Sequence, residues 1–392
     1  MKNIWNDLTL KDIFDFYNGK SIKPGGEGKY PAYGANGIIG GSSDHMHENA
    51  IIIGRVGAYC GAVAYCFDKF WASDNTIVAK TKETNIKFGY YFLKNMNLNS
   101  YAGGAAQPLM TQTVIKSIEV KYPSSLHTQQ KIASILSVYD DLIENNTRRI
   151  KILEEMTQRI YREWFVHFRF PGHEKVKMVK SELGMIPEGW EVKLIEDLYN
   201  TTSGGTPSRK KEEYYGGEIN WLKTKELNDN YIIDTEEKIT EIGLQKSSAK
   251  IIPKDTVIMA MYGATIGKLG ILSLSSTTNQ ACCAFLPKDE YFIFPYIFGH
   301  LYENREDVIN HGMGAAQQNL SQVIIKKLKL LRPSNEIVKE YNKMVCPLFE
   351  MLKVLQLKHS NLRQTRDLLL PKLISGKIDV EDLDIDTGAL VA

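Results

Sequence analysis

Apolar residues recur at every third or fourth position along two long stretches of this 392-residue chain. Between Pro123 and Pro171 no proline or glycine intervenes, and Ile132, Ile135, Tyr139, Leu142, Leu153, Met156 and Ile160 repeat at helical spacing. That is a heptad seam, the pattern of a helix packed along another long helix. Asn146 and Arg149 interrupt it; a polar seam residue can fix register at some cost in stability. About 45 helical residues span roughly 65–70 Å at ~1.5 Å per residue, which predicts a spacer rather than part of one globular core. A second seam follows Pro333: Val338, Tyr341, Val345, Leu348, Leu352, Leu355, Leu362, Leu369 and Leu373, with His359 and Arg366 in polar positions. Pro347 falls inside it. An interior proline costs about 3 kcal/mol and kinks or breaks a helix, so a short helix followed by a longer one is expected here.

The two stretches belong to a repeat. Gly104-Ala105-Ala106-Gln107 recurs as Gly314-Ala315-Ala316-Gln317, and at the same offset Val114-Ile115-Lys116 meets Ile324-Ile325-Lys326 and Pro123 meets Pro333. Trp5, Asp12 and Gly19 match Trp190, Asp197 and Gly204 at the start of each copy. Each unit therefore reads as a variable globular part, a GAAQ turn, a short strand, a proline and a long helix. Residues 5–19 and 190–204 each predict a strand or turn, a short helix and a glycine stop. Residues 19–44, rich in Gly, predict turns and loops rather than helix. Ala50–Gly54, Ala62–Cys66 and Val257–Met261 read as buried strands, and Ile86–Leu98 and Phe292–Asn304 as amphipathic helices. Thr278-Asn279-Gln280 is expected in the place of Asp74-Asn75-Thr76. Residues 171–189, with two prolines and mixed charge, read as a linker, and Ile378–Ala392 as a loose acidic tail. The class is α+β with many short strands.

Composition is that of an ordinary globular chain, 43% hydrophobic and 24% charged. The formal net charge of +2 gives no global excess pointing to nucleic acid, although a basic face can be balanced elsewhere. No apolar run approaches the ~20 residues of a membrane helix, and Met1–Trp5 opens no signal peptide. The five cysteines form no CxxC pair, so they read as reduced and cytosolic without structural zinc.

Catalytic patterns are missing. Gly19-Lys20-Ser21 ends like a phosphate-binding loop, but Phe14 stands where its first glycine belongs. Glu119-Val120-Lys121 resembles the triplet of some metal-dependent nucleases, yet it alternates along a strand and equally fits a solvated face. Two large domains without a catalytic constellation point to a binding or scaffold protein. A nuclease using Glu119, Lys121 and Mg²⁺, and a coiled-coil assembly protein that binds no DNA, stand as alternatives.

The constellation resembles the specificity subunit of Type I restriction–modification systems along nearly the whole chain. The motifs are Tyr33-Gly34-Ala35-Asn36-Gly37, Gly57-Ala58 with Gly61, the GAAQ turns, Gln129–Asp141, Gly184–Trp190, Gly204-Gly205-Thr206-Pro207 and Leu370–Ile378. The resemblance implies two mixed, β-rich target-recognition domains, residues 1–123 and 190–333. They would be separated by two long antiparallel coiled-coil helices, 124–170 and 334–376, in an internal pseudo-twofold repeat, with the linker at 171–189 and the tail at 377–392. Each domain would read half of a split site in double-stranded DNA, and the helices would set the gap. Two modification subunits carrying S-adenosylmethionine would dock on the exposed helix flanks. Restriction subunits using ATP and Mg²⁺ would join to cut, leaving this chain non-catalytic, without a cofactor of its own and cytoplasmic. The geometry is compatible: a pseudo-twofold protein matches the dyad of the duplex backbone, and one DNA turn is about 35 Å.

Phosphate contacts call for Lys and Arg with Ser or Thr neighbours, and base edges for Arg, Lys, Asn and Gln. The candidates are Lys20, Lys23, Asn36 and Arg55 in the first domain, and Thr206, Ser208, Arg209, Lys210, Lys223 and Lys225 in the second. Loop lysines are equally read as plain solvated charges, and Asn36 as the holder of a left-handed turn before Gly37. Gln107 and Gln317 either face DNA or buttress the following strand. Trp164 and Phe165 either anchor a partner or seal the helix end.

Overall fold

The computed structural model describes residues 5–104, 107–311 and 319–385. The chain divides into two compact units, Met1–Glu144 with Asn361–Ala392, and Asn145–Ser360. Each unit thus contains one globular part and a portion of both long helices, rather than ending where the helices begin.

In the first unit, Phe14–Asn18, Thr76–Thr81, Ala50–Gly54 and Val63–Cys66 form a four-stranded antiparallel sheet in that order. A three-stranded sheet orders Gly37–Ser42, Tyr30–Gly34 and Trp71–Ala72. The glycine-rich stretch expected to be loops is therefore partly a hairpin. Trp5–Thr9 pairs with Glu119–Pro123. The helix Ile86–Asn95 is capped by Asn85, whose side chain accepts from the Phe88 amide. Buried Gln129 accepts from the Asn85 amide and donates to the Pro123 carbonyl, which accounts for its place in the motif entering the first long helix. Ile132, Ala133 and Leu136 of that helix and Leu370, Leu373 and Ile374 of the second complete the core.

The second unit repeats this plan. Its five-stranded sheet orders Tyr199–Ser203, Cys282–Pro287, Val257–Ala260, Leu269–Leu272 and Asn230–Ile232, and its three-stranded sheet Lys238–Ile239, Tyr215–Leu222 and Thr277–Thr278. Glu191–Leu194 pairs with Lys329–Arg332. The repeated residues have repeated jobs. The Thr9 amide donates to Asp12 and the Leu194 amide to Asp197, each at 2.8 Å, at the start of a one-turn helix. Gly19 and Gly204 lie so close to the backbone that a Cβ would fall 1.9 Å from the carbonyl oxygens of Ser73 and Thr278 respectively.

The segment 171–189 is not a plain linker. It carries a hairpin, Met178–Ser181 with Gly184–Pro187, and its Ile186 joins the same buried core as Phe170 just before it. Trp164 and Phe165 pack among Tyr161, Trp190, Tyr296 and Tyr341, so they seal the helix end.

Both long helices are continuous over 40 residues, Leu126–Phe165 and Asn335–Ile374, about 60 Å each. Pro347 does not break the second. One amide bond is missing there, but Val338, Tyr341, Val345, Phe349 and Leu352 on either side are buried, and that packing keeps the helix continuous through it. Within the units the helices run antiparallel: Asp140 meets Arg366, Thr147 meets His359 and Tyr161 meets Tyr341. The first seam differs from expectation in one of its two rows. Ile132, Asn146 and Leu153 are buried, but the companion row is Leu136, Ile143 and Thr157. Leu142 and Met156 are 47% and 43% exposed, and Arg149 also faces solvent. Leu142 and Ile143 are equally apolar, so pattern cannot choose between them. Thr157 disguises the true row, and is buried because its hydroxyl donates to the Glu154 carbonyl.

Candidate nucleic-acid interface

Three strands of the first unit end at one short segment, Ala72–Thr76. The Lys20 amide donates to the Ala72 carbonyl (2.9 Å), the Ser73 amide to Tyr33 (2.9 Å) and the Arg55 amide to Asn75 (3.0 Å). Trp71 Nε1 adds a bond to the Lys20 carbonyl. The loops carrying Lys20, Asn36 and Arg55 therefore gather around one hub. Lys23 lies further out, on a loop tied to Gly37–Ser42 by the Gly25 amide and the Gly26 carbonyl. Lys20, Lys23 and Asn36 are exposed. Arg55 is half-buried, and its Nε has no hydrogen-bond partner. The left-handed residue of the hairpin turn is Gly37, with φ 93°, and not Asn36. Asn36 is thereby free of the conformational role that was its competing explanation.

The second unit reproduces the three backbone bonds of the hub. The Gly205 amide donates to Thr278, Asn279 to Leu222, and Met261 to Ala281. This register sets Thr278-Asn279-Gln280 level with Ala72-Ser73-Asp74, two residues before the stretch expected from sequence. Thr206, Ser208, Arg209 and Lys210 then occupy the loop equivalent to that of Lys20, and Lys223 and Lys225 the turn equivalent to that of Asn36. Met261 stands where the first unit has Arg55.

Three of the second unit's candidate cations are paired with carboxylates. Arg209 pairs with Glu237 at 2.5 Å, Lys223 with Glu237 at 2.5 Å and Glu236 at 3.3 Å, and Lys225 with Glu236 at 2.5 Å. Hydrogen bonds from Arg209 and Lys223 hold the Glu237 carboxyl down at about 2. Thr206 donates to Gln280. The sequence candidates were cations and neutral polar residues suited to phosphate and base edges, which left out Glu236 and Glu237; the run Glu236-Glu237-Lys238 beside a strand was the available signal. Lys20, Lys23, Arg55 and Lys210 have no carboxylate within ion-pair distance among the described residues. Gln107 is exposed, while Ala105, Ala106 and the second GAAQ turn with Gln317 lie outside the described residues.

The alternative nuclease pair gathers no metal site. Glu119 and Lys121 project from an exposed strand face, where Lys121 pairs with Asp7 at 3.1 Å. Among the described residues no group of three or more His, Cys, Asp or Glu is placed to hold a metal ion, and no helix is long and apolar enough to cross a membrane.

Known proteins share this plan. The chain is 28% identical to the Type I restriction enzyme MjaIX specificity subunit of Methanocaldococcus jannaschii over 305 residues, 75% of this chain and 69% of the relative. It is 26% identical to the Type I restriction enzyme HindI specificity subunit of Haemophilus influenzae over 332 residues, 69% of this chain and 71% of the relative. The fold superposes on the crystal structure of a Type I restriction–modification S subunit from M. genitalium with a TM-score of 0.70, at 20% identity, covering 95% of this chain and 96% of that one. The sequence profile described as the Type I restriction modification DNA specificity domain matches twice, at residues 3–155 and 187–353. With both copies matched over most of its length, the chain belongs to the Type I restriction–modification DNA specificity family.

Proposed function

We propose that each unit reads one half of a bipartite DNA site through the loops gathered at its hub. The two long helices set the gap between the halves. The observation that carries this reading is one hub geometry built twice with unlike side chains. Matching backbone hubs suit a duplex whose two halves present the same backbone, whereas different loop residues suit two different half-site sequences. Arg55 against Met261, and Asn36 against Lys225, are such differences.

Two modification subunits would dock on the solvent-facing side of the helices. Val138, Leu142, Ile152 and Met156 are all exposed, and at 100° per residue they share one face of the first helix. Exposed apolar side chains in a line are unusual on a surface without a partner. Those subunits would supply S-adenosylmethionine and adenine methylation, and restriction subunits ATP- and Mg²⁺-dependent cleavage, in the cytoplasm. This chain would contribute recognition and no catalytic group.

Selection from a randomised duplex library, with this chain and its modification subunits, tests the reading. The expected product is two short motifs at a fixed separation. Replacing Lys20 and Lys23 by alanine is expected to weaken selection at one motif and leave the other intact. Enrichment of a single contiguous motif, or none, would contradict it.

A further inference from the structure

We propose that Glu237 is a positioning residue that sets the DNA specificity of the second unit, holding Arg209 and Lys223 as a fixed, partly neutralised pair. The inference rests on the DNA-reading role proposed above and assigns how one of the two hubs performs it.

The acid arrives on an insertion. In the first unit, strand Tyr30–Gly34 turns directly into its partner Gly37–Ser42 through Ala35 and Asn36. In the second, the equivalent strand Tyr215–Leu222 is followed by residues 223–237 before its partner Lys238–Ile239 begins. The excursion returns Glu236 and Glu237 to the place where it left. It is braced internally: Glu226 accepts from the amides of both Lys223 (3.0 Å) and Glu236 (2.9 Å). The Glu237 carbonyl accepts from the Trp221 amide and the Thr235 hydroxyl. The Glu237 backbone is thus fixed before its side chain makes any contact.

The basic loop is held as firmly. Trp221 Nε1 donates to the Gly205 carbonyl at 3.0 Å, and the Tyr215 hydroxyl to the Pro207 carbonyl at 2.6 Å. The Arg209 guanidinium lies 4.4 Å from the Tyr215 ring centre and 4.9 Å from that of Trp221, the geometry of a cation–π contact. Glu237 takes two hydrogen bonds from this guanidinium and one from Lys223. A mobile arginine loses side-chain entropy on contacting a base edge; one already stacked and paired does not. Neutralisation also suppresses contacts to phosphate, which are the sequence-independent part of DNA binding. The first unit has no counterpart, since no carboxylate pairs with Lys20, Lys23 or Arg55 among the described residues.

Glu237→Gln in the full chain tests this. Binding to a mixed-sequence 30-base-pair duplex, followed by fluorescence anisotropy between 50 and 200 mM salt, is compared with binding to a duplex carrying the selected bipartite motif. Releasing one or two cations is expected to steepen the salt dependence by ~0.9 per added phosphate contact. The loss of affinity for the mixed duplex across that salt range then grows by roughly 3- to 12-fold. Preference for the motif falls, and Glu237→Asp, which keeps the charge, restores the wild-type slope. A merely structural role for Glu237 would weaken binding and flatten the slope, and that result overturns the inference. So does an unchanged slope and preference in Glu237→Gln while the wild-type chain discriminates; the DNA-reading role then survives. If the wild-type chain shows no salt-dependent DNA binding, the role and the inference fall together.

Discussion

Replacing Asp140 by alanine cuts the tie that joins three elements of the first unit. The Tyr91 hydroxyl, on the helix Ile86–Asn95, donates to Asp140 Oδ2 at 2.7 Å, and Arg366 of the second long helix donates to Oδ1 at 2.6 Å. The Arg366 and Asp140 side chains are only 15% and 28% exposed, so water does not readily replace the lost bonds. Hydrogen bonds to charged groups are worth ~1.5–3 kcal/mol each. Arg366 keeps Asp367 at 2.8 Å, which places its loss at the low end. The expected destabilisation is about 3–4.5 kcal/mol. For a unit in the 150–250-residue range, 1 kcal/mol moves Tm by ~2–4 °C, so a fall of roughly 6–18 °C is expected. Two units need not unfold together. Calorimetry is therefore paired with hydrogen exchange, which should show protection lost along Ile86–Asn95 and residues 361–374 first. A double-mutant cycle with Arg366→Met should return a coupling of about 1–2 kcal/mol. A Tm change under about 2 °C, or protection lost first in the second unit, would show that Asp140 does not tie these elements together.

The first helix offers a sharper contrast between two adjacent residues, Leu142 and Ile143. Ile143→Ala should cost about 2–4 kcal/mol by large-to-small truncation of a buried side chain, whereas Leu142→Glu should stay within ~0.5 kcal/mol yet abolish copurification of the modification subunits. Denaturant titration and pull-down measure the two effects. Gly19→Ala and Gly204→Ala should each displace one hub, because the new Cβ meets a backbone carbonyl that cannot retreat; each should broaden amide resonances of its own hub only. The buried His300 gives a pH signature. Burial lowers its imidazole from the usual 6.5 to about 4, so the unfolded chain binds the extra proton between those values. Stability of the second unit is then full above pH 6.5, declines as pH falls toward 4, and levels off below. His300→Gln should flatten that decline in pH-dependent melting curves.

The long helices, the repeat and the family resemblance were legible because they rest on spacing, and spacing survives substitution. Asp12 with Asp197, and Gly19 with Gly204, were visible as matches, and the structure supplies their jobs: an amide to cap and a carbonyl to avoid. What sequence left open was set by tertiary contacts. The choice between Leu142 and Ile143 depends on what lies opposite. Pro347 is tolerated because its neighbours are buried, although an isolated helix would bend there. The hairpin at Met178–Pro187 hides within a stretch whose prolines and glycines look like a linker. At the interface, chemistry of single residue types found Arg209, Lys223 and Lys225 but not Glu236 and Glu237. Their pairing joins residues up to 28 positions apart, and only the fold brings them together.

In its proposed role this chain supplies sequence recognition to a methylating complex, one half-site from each unit. Single-molecule sequencing of adenine methylation addresses it most directly, in cells carrying the modification subunit with this chain, without it, and with the Lys20→Ala, Lys23→Ala variant. The expected result is a bipartite motif with a fixed gap, methylated on both strands, that requires this chain and loses definition in one half only in the variant. The same motif persisting without the chain, or both halves changing together, would contradict it.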